Sequence, residues 1–204
     1  ADSLHDGAAL GELRDMAVSR IILDLCGGTG AWSAPYAAAG YDVRLVTLPE
    51  QDVLTYEPPA NVHGILAAPP CTEFASSGAR WWATKPPELL VRAREVVRRC
   101  LAIILASDCK WWALENPIGR IQRIVPELGD PVMRYDPCDF GDPWTKRSQL
   151  WGMFNHPRRR PVEPTANPRP GSSPIHRMSP SPERQRLRSI TPPGFAQAFY
   201  EANP

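Results

Sequence analysis

Apolar positions along the chain fall into two kinds of run. Short β-prone runs lie at Ile21–Leu25, Tyr41–Thr47, Val62–Ala68 and Trp111–Glu115, the first broken by Asp24, the second by Asp42 and Arg44 and the third by His63. Such runs predict strands covered on both faces. Residues 87–107 have a different pattern. Leu89, Leu90, Ala93, Val96, Val97, Cys100, Leu101 and Ile104 recur at a spacing of three or four, which predicts a long helix. Arg92, Arg94, Glu95, Arg98 and Arg99 mostly take the other side, as a solvated face. Ala31–Ala39 predicts a helix ending at Gly40, and residues 9–17 a short lead-in helix. Asp52–Thr55 reads as a turn and short strand, and 119–126 as a short helix or turn. Val132–Tyr135 and Leu150–Phe154 read as later strands, and 194–202 as a last helix. Asn116-Pro117 ends its strand and reads as a helix start, since Asn caps well and Pro suits a first turn. Strands alternating with helices predict an α/β fold, a mostly parallel sheet with helices on both faces.

Proline sharpens this picture. Of 204 residues 24 are Pro, and fourteen of these lie in the last 74, so regular structure should be dense early and sparse late. Net charge is +1, but residues 155–190 carry +6 while residues 1–154 carry −4. An Arg-rich, Pro-rich stretch of this kind can contact phosphate or serve as a solubilising loop. Five cysteines include no C-x-x-C pair, which argues against a disulfide scaffold or a Cys₄ zinc site and for a reducing cytoplasm. No run approaches 18 apolar residues, so no membrane span is expected, and no signal-peptide pattern is expected either.

Four segments carry candidate chemistry. Asp24-Leu25-Cys26-Gly27-Gly28-Thr29-Gly30 places a glycine turn directly after the first strand, where backbone can approach a ligand closely. Ser33 stands where a dinucleotide fingerprint needs its third Gly, and no G-K-[ST] follows, so the pattern disfavours a diphosphate and suits an adenosine-bearing cofactor without one. Read alone, the segment is equally a tight turn with no ligand. Ala67-Ala68-Pro69-Pro70-Cys71 puts a thiol just past the end of a strand, the edge at which open α/β sheets bind ligands. A thiolate there is a good nucleophile; a buried structural cysteine is the alternative. Ser76-Ser77-Gly78-Ala79-Arg80 can close over a substrate, and Arg80 is a candidate cation for activating Cys71. Glu115, again at a strand end, can hydrogen-bond an amidine-like ring edge. In Asp139–Gly152, Lys146 and Arg147 can anchor a phosphate or polarise a base carbonyl. Asp139-Phe140-Gly141 matches a kinase metal motif, but the ATP loop and H-R-D are missing.

Together these segments resemble the DNA cytosine-5 methyltransferase family, in a very small form. Asp24–Gly30 resembles its D-x-F-x-G-x-G motif, with Cys26 in place of Phe. Asp52-Val53 sits where the family contacts the adenine amine. Pro70-Cys71 with Phe74, Ser76 and Gly78 resembles P-C-Q-x-F-S-x-x-G, with Thr72 in place of Gln. Glu115-Asn116 resembles E-N-V, with Pro117 for Val. Asp139–Leu150 resembles D-Y-G-V-P-Q-x-R-x-R-V-F, with Trp144, Lys146 and Ser148 at the Gln and Arg places, and Arg188–Phe195 resembles R-x-L-T-P-R-E. The order of the segments also matches, over about residues 20–200.

The resemblance implies a Rossmann-like class I fold with S-adenosylmethionine as cofactor. Asp24, Gly27, Gly28, Thr29, Gly30, Trp32, Asp52, Val53 and Pro69 would form its site, with Glu50 a weak candidate for the ribose. Trp32, Trp81 and Trp82 are stacking candidates, packing being the alternative. Cys71, Glu115, Arg147 and Lys146 would be catalytic, through attack of the thiolate on C6 of a cytosine unstacked from its neighbours. Ser76, Ser77, Arg80, Arg158, Arg159 and Arg160 would contact nucleic acid. The implied organisation is a catalytic and cofactor-binding unit over 1–156, a Pro/Arg-rich reduced recognition segment over 157–187, and a C-terminal segment over 188–204 packing back. Only about 35 residues, 153–187, stand where a target-recognition domain belongs, fewer than a reader of several base pairs normally uses. DNA containing cytosine is the expected partner, and a separate subunit can supply recognition. RNA, single-stranded DNA or a free cytidine nucleotide remain alternatives, as does a protein that binds cofactor or nucleic acid without transfer.

Overall fold

The computed structural model describes residues 20–169, 172–174, 178, 179, 181 and 183–204. The expected lead-in helix at 9–17 lies outside them. Six strands form one sheet in the order β2-β1-β3-β4-β6-β5. They are β1 (Ile21–Leu25), β2 (Asp42–Val46), β3 (Val62–Ala67), β4 (Trp111–Pro117), β5 (Met133–Tyr135) and β6 (Ser148–Met153). β2, β1, β3 and β4 run parallel, whereas β6 is antiparallel to both β4 and β5. The expected Rossmann-like arrangement, mostly parallel with helices on both faces, is the one found.

Alternation along the buried strands explains the two layers. Leu23, Leu25, Ile65 and Ala67 point into one core, which is roofed by α2 (Pro87–Ala106) through Ala93, Val96, Val97, Cys100, Ile103 and Ile104. Ile22, Leu66, Trp111 and Ala113 point into the other. That second core is aromatic. α1 (Ala34–Ala38) brings Tyr36, and, after the short helices α3 (Ile121–Ile124) and α4 (Arg184–Ser189), α5 (Pro193–Ala202) brings Phe195 and Phe199 against Trp32 and Trp111. Phe195 also stacks on Tyr135 at 4.0 Å between ring centres. The last residues are tied in by polar contacts: Tyr36 donates to the Asn203 carbonyl at 2.9 Å, and Asn155 N to Asn203 Oδ1 at 2.7 Å.

Several boundaries differ from expectation. α1 is only five residues because Ala31–Ser33 form turns and Pro35, which lacks an N–H, sits in the first helical turn. Asp52–Thr55 holds no strand. Asp52 Oδ1 accepts the Leu54 N–H at 3.0 Å and the Thr55 N–H bonds back to the Asp52 carbonyl, so the backbone is satisfied within its own turn. β4 does not stop before Asn116-Pro117, and no helix starts there. Both residues pair antiparallel with Gln149 and Ser148, which also starts β6 two residues earlier than the pattern predicts. Among the described residues no helix is long and apolar enough to cross a membrane.

The direction of winding locates the functional edge. After β1 the chain adds β2 on one side and then returns to place β3 on the other. Between β1 and β3 the order reverses, and the crevice outside the C-terminal ends of two such strands is where open α/β sheets bind ligands. The glycine turn leaves β1 there, and the segment to Cys71 leaves β3 there.

Candidate active site

The glycine turn is shaped by what lies beneath it. Gly28 and Gly30 have φ of +57° and +71°, a left-handed conformation that glycine adopts without strain. Asp24 is fully buried under the turn and accepts the Ser33 hydroxyl on Oδ2 at 2.6 Å, while Oδ1 has no partner among the described residues. A Cβ on Gly27 would overlap the Asp24 carboxyl group, so this position must be glycine for the carboxyl to stay where it is. Above Gly28 a Cβ would fit without a clash. A Cβ there would meet only Ser189 Oγ, at 3.8 Å. Cys26 turns inward instead, its thiol in contact with that of Cys100 on α2.

Burial raises the Asp24 pKa from 3.8 to about 6, against the opposing hydrogen bonds from Ser33. Below pH 3.8 the folded and unfolded chains both hold the proton. Between the two values the unfolded chain ionises first, so stability falls as pH rises, by about 3 kcal/mol at neutral pH. The gap in melting temperature between an Asp24→Asn variant and the wild type should therefore move in the variant's favour from pH 4 to 7. Parallel melting curves across that range would contradict this placement of the carboxyl group.

Cys71 and Glu115 come from neighbouring strands at one edge. Ala67 pairs with Leu114 in the parallel β3–β4 ladder, so the residues that follow each emerge side by side. Asn116, fully buried, donates through Nδ2 to the Pro69 carbonyl at 3.0 Å and stitches the end of β4 to the approach to Cys71. The Cys71 carbonyl accepts the N–H groups of Phe74 and Ala75, at 2.9 and 2.8 Å, which fixes the turn after the thiol. Behind it, Ala75 bridges Gly119, and Lys85 donates to the Thr72 carbonyl and pairs with Glu73 at 2.7 Å.

Three charged groups face the Cys71 thiol. Burial raises its pKa and Glu115 adds to the rise, while Lys146 and Arg188 oppose it. Glu115 is half-buried, and its Oε1 has no partner among the described residues. It also contributes, after burial, to holding the Tyr135 hydroxyl well above its ordinary range. A thiol, an unsatisfied carboxyl oxygen and two cations thus share one corner of the crevice. Such a corner can attack a planar electron-poor ring while hydrogen-bonding its edge.

The other sequence candidates scatter. Arg80 does not serve Cys71 as expected: its guanidinium lies over the Trp81 ring, 4.9 Å from the centroid. Trp32 is 2% exposed and packed on Phe195 and Phe199, so its ring is core and presents no face for stacking. Trp82 is covered by Arg120 at 4.2 Å, and Trp81 is exposed. Asp52 is engaged by Arg92 at 3.0 Å and by its own turn; Val53 and Pro69 are buried, and Thr29 is exposed. Arg147 is held by Asp136 at 2.6 Å, while Lys146 reaches the crevice. Ser76 anchors its N–H on the Ile118 carbonyl, and Ser77 accepts from Arg188.

The expected free basic stretch is largely tied down. The backbone of Arg160 and Val162 bonds to the carbonyls of Asp139 and Cys138. Arg159 pairs with Asp139 at 3.2 Å and Arg160 with Glu201 at 3.2 Å; Arg158 alone of the three is exposed with no ion pair among the described residues. Docking on the sheet therefore consumes charge that composition assigns to solvent or phosphate. Conversely, Arg188 faces Cys71 although the sequence marks it only as the start of the Arg188–Phe195 segment. It reaches that position through contacts with Ser77 and Lys146, distant in sequence, for which local spacing carries no signal.

A groove of about 360 Å³ lies apart from Cys71, outside the edge strand β2, between Val43–Leu45 and Gln51, Tyr56, Glu57 and Pro59. It adjoins a second, of about 330 Å³, that takes in Glu50, Asp52 and Thr55. Glu50 and Asp52, expected at the cofactor, line the second, and Cys71 and Glu115 line neither.

No family model and no curated protein matches this chain. Among solved structures it is similar to a DNA modification methyltransferase encoded within a prophage of E. coli, at 16% identity and a TM-score of 0.47, over 66% of this chain and 46% of that one. It is also similar to the Entamoeba histolytica methyltransferase EhMeth, at 11% identity and a TM-score of 0.44, over 71% and 57% of the two chains. The DhpI-SAM-HEP complex overlaps at 13% identity and a TM-score of 0.28, over 77% and 70%. The chain thus spans about half the length of the first two.

Proposed function

We propose that this chain is an S-adenosylmethionine-dependent methyltransferase acting on C5 of cytosine in DNA. The observation that carries the reading is the unpartnered Glu115 carboxyl oxygen beside the half-buried Cys71 thiol, at the crevice where the strand order reverses. A protein that only binds has no physical need for a nucleophile and an unsatisfied acid at one point.

The cofactor fits the residues present. The turn over Gly27–Gly30 is backed by Asp24 and bends through left-handed Gly28 and Gly30, and it suits a ligand that approaches backbone closely without a diphosphate. Gly27, Gly28, Thr29 and Gly30 would hold it with Val53 and Pro69, and Asp52 would join on release from Arg92. When bound, S-adenosylmethionine supplies an electrophilic methyl group.

The chain's own residues do the rest. The Cys71 thiolate adds to C6 of the ring. Glu115, carrying a proton, donates to N3 and its other oxygen accepts from the exocyclic amine, which stabilises negative charge as it develops on the ring. C5 thereby becomes nucleophilic. Once C5 has been substituted, loss of its proton re-forms the ring double bond and expels the Cys71 thiolate.

Two readouts test this. S-adenosylmethionine, or its demethylated product, should raise the melting temperature by linkage, and NAD should not. Stabilisation by NAD alone at up to about millimolar concentration would overturn the cofactor assignment. Labelled methyl groups should then pass to cytosine-containing DNA. The pairing of Arg159 with Asp139 and of Arg160 with Glu201 takes up two of the three charges of Arg158–Arg160, which favours a second reading of the substrate: single-stranded DNA, RNA or a nucleotide, or recognition by a partner subunit. Labelling of one of these in place of duplex DNA decides between them.

A further inference from the structure

Helix α4 (Arg184–Ser189) sits where three site-bearing segments meet. Its Ser189 Oγ lies nearest to Gly28 of the glycine turn. Its Arg188 guanidinium donates to Ser77 Oγ at 3.3 Å, on the loop that follows Cys71. The Arg188 carbonyl accepts the Lys146 ammonium at 2.9 Å, on the segment leading into β6. One short helix therefore touches the turn after β1, the loop after β3 and the entry to β6.

The cations around these contacts divide by partner. Arg147 is paired with Asp136, Arg159 with Asp139, Arg160 with Glu201 and Arg186 with Glu183. Arg188 and Lys146 have no carboxylate partner among the described residues. Arg188 spends its hydrogen bond on a neutral hydroxyl, and Lys146 on a neutral carbonyl, so both keep their full positive charge at the crevice. Three charged groups face the thiol from the elements around it: Glu115 from β4, Lys146 from the approach to β6 and Arg188 from α4. Two of the three are positive.

We propose that Arg188 is a positioning residue for Cys71: by clasping Ser77 and seating Lys146 it closes the loop after β3 and fixes two unpaired positive charges beside the nucleophile. The proposal rests on the reading of Cys71 as the attacking group. Its consequence is a larger thiolate fraction at neutral pH than burial beside Glu115 alone would allow, the thiol proton passing to water. Ser77 and Arg188 are 111 positions apart, so the clasp also couples the loop to the C-terminal segment.

The test uses the whole chain and needs no nucleic acid. Alkylation of Cys71 by iodoacetamide is followed across pH by mass spectrometry of the Cys71 peptide, which separates it from the other four cysteines. Arg188→Gln should shift the profile to higher pH and slow alkylation near neutrality by roughly three- to tenfold; Arg188→Lys should restore most of the rate. Lys146→Met should move the profile the same way. Ser77→Ala, which changes no charge, should give a smaller shift in that direction, and it keeps the test open if Arg188→Gln folds poorly. Arg186→Gln, on the same helix but paired with Glu183, should leave the profile unchanged. A profile for Arg188→Gln that superposes on the wild type, or one matched by Arg186→Gln, overturns the proposal. Because the readout is thiol reactivity, failure to methylate cytosine would defeat the proposed function without affecting this result.

Discussion

Cys71→Ser should leave the fold and cofactor binding nearly intact while lowering methyl transfer by about a thousandfold or more. The substitution is nearly isosteric, and the turn that carries the residue is fixed by its carbonyl, which accepts from Phe74 and Ala75, rather than by its side chain. Packing therefore does not depend on sulfur. Chemistry does, because a serine hydroxyl at that point has no base and stays protonated. Glu115→Gln should also depress transfer, since an amide cannot pass a proton to N3, whereas Glu88→Gln on the exposed first turn of α2 should not. Rates of label transfer at saturating cofactor, with melting temperatures alongside, check the set. Wild-type activity in Cys71→Ser would remove covalent catalysis from the account.

Gly27→Ala should cost the fold about 2–4 kcal/mol and abolish cofactor binding. The added methyl would occupy the space of the Asp24 carboxyl group. That carboxyl has nowhere to retreat: it is fully buried within β1, between pairing partners Leu45 and Leu66, and is bonded to Ser33. Either the turn lifts away from β1 or the buried carboxyl loses the Ser33 hydroxyl, and both outcomes open the cradle. A fall in melting temperature of roughly 5–15 °C, with the stabilisation by S-adenosylmethionine lost, is the expected result. A variant as stable as wild type that still binds the cofactor would contradict the packing of Asp24 beneath the turn.

What the sequence made legible is the part of the molecule governed by local pattern. The parallel strands β1, β3 and β4 are mostly apolar runs and α2 is a long amphipathic repeat, so their periods are visible without tertiary context. The glycine turn and Cys71 follow strand ends, Glu115 follows the last parallel pair of β4, and the parallel winding brings the three to one edge. The remainder depends on contacts that no window contains. Asn116-Pro117 continues as strand because Gln149 and Ser148 pair with it, against the helix-starting preference of Asn-Pro. Arg159 and Arg160 look like free charge in sequence and are bound by Asp139 and Glu201, twenty and forty-one positions away. Arg80 is close to Cys71 in sequence and is drawn onto Trp81, while Arg188, remote in sequence, takes its place. Trp32 follows the glycine turn, yet the aromatic core contributed by α5 claims its ring.

The most direct test of the central claim is a trapping experiment on the wild-type chain. DNA carrying 5-fluorocytosine is mixed with the protein and S-adenosylmethionine, digested, and analysed by mass spectrometry. Fluorine at C5 cannot leave as the proton does, so the covalent intermediate should persist after methyl transfer. The account predicts a methylated fluorocytosine attached to the peptide containing Cys71, dependent on cofactor, with Cys26, Cys100, Cys109 and Cys138 unmodified. An adduct on one of those four, or free methylated product with no adduct, would contradict it.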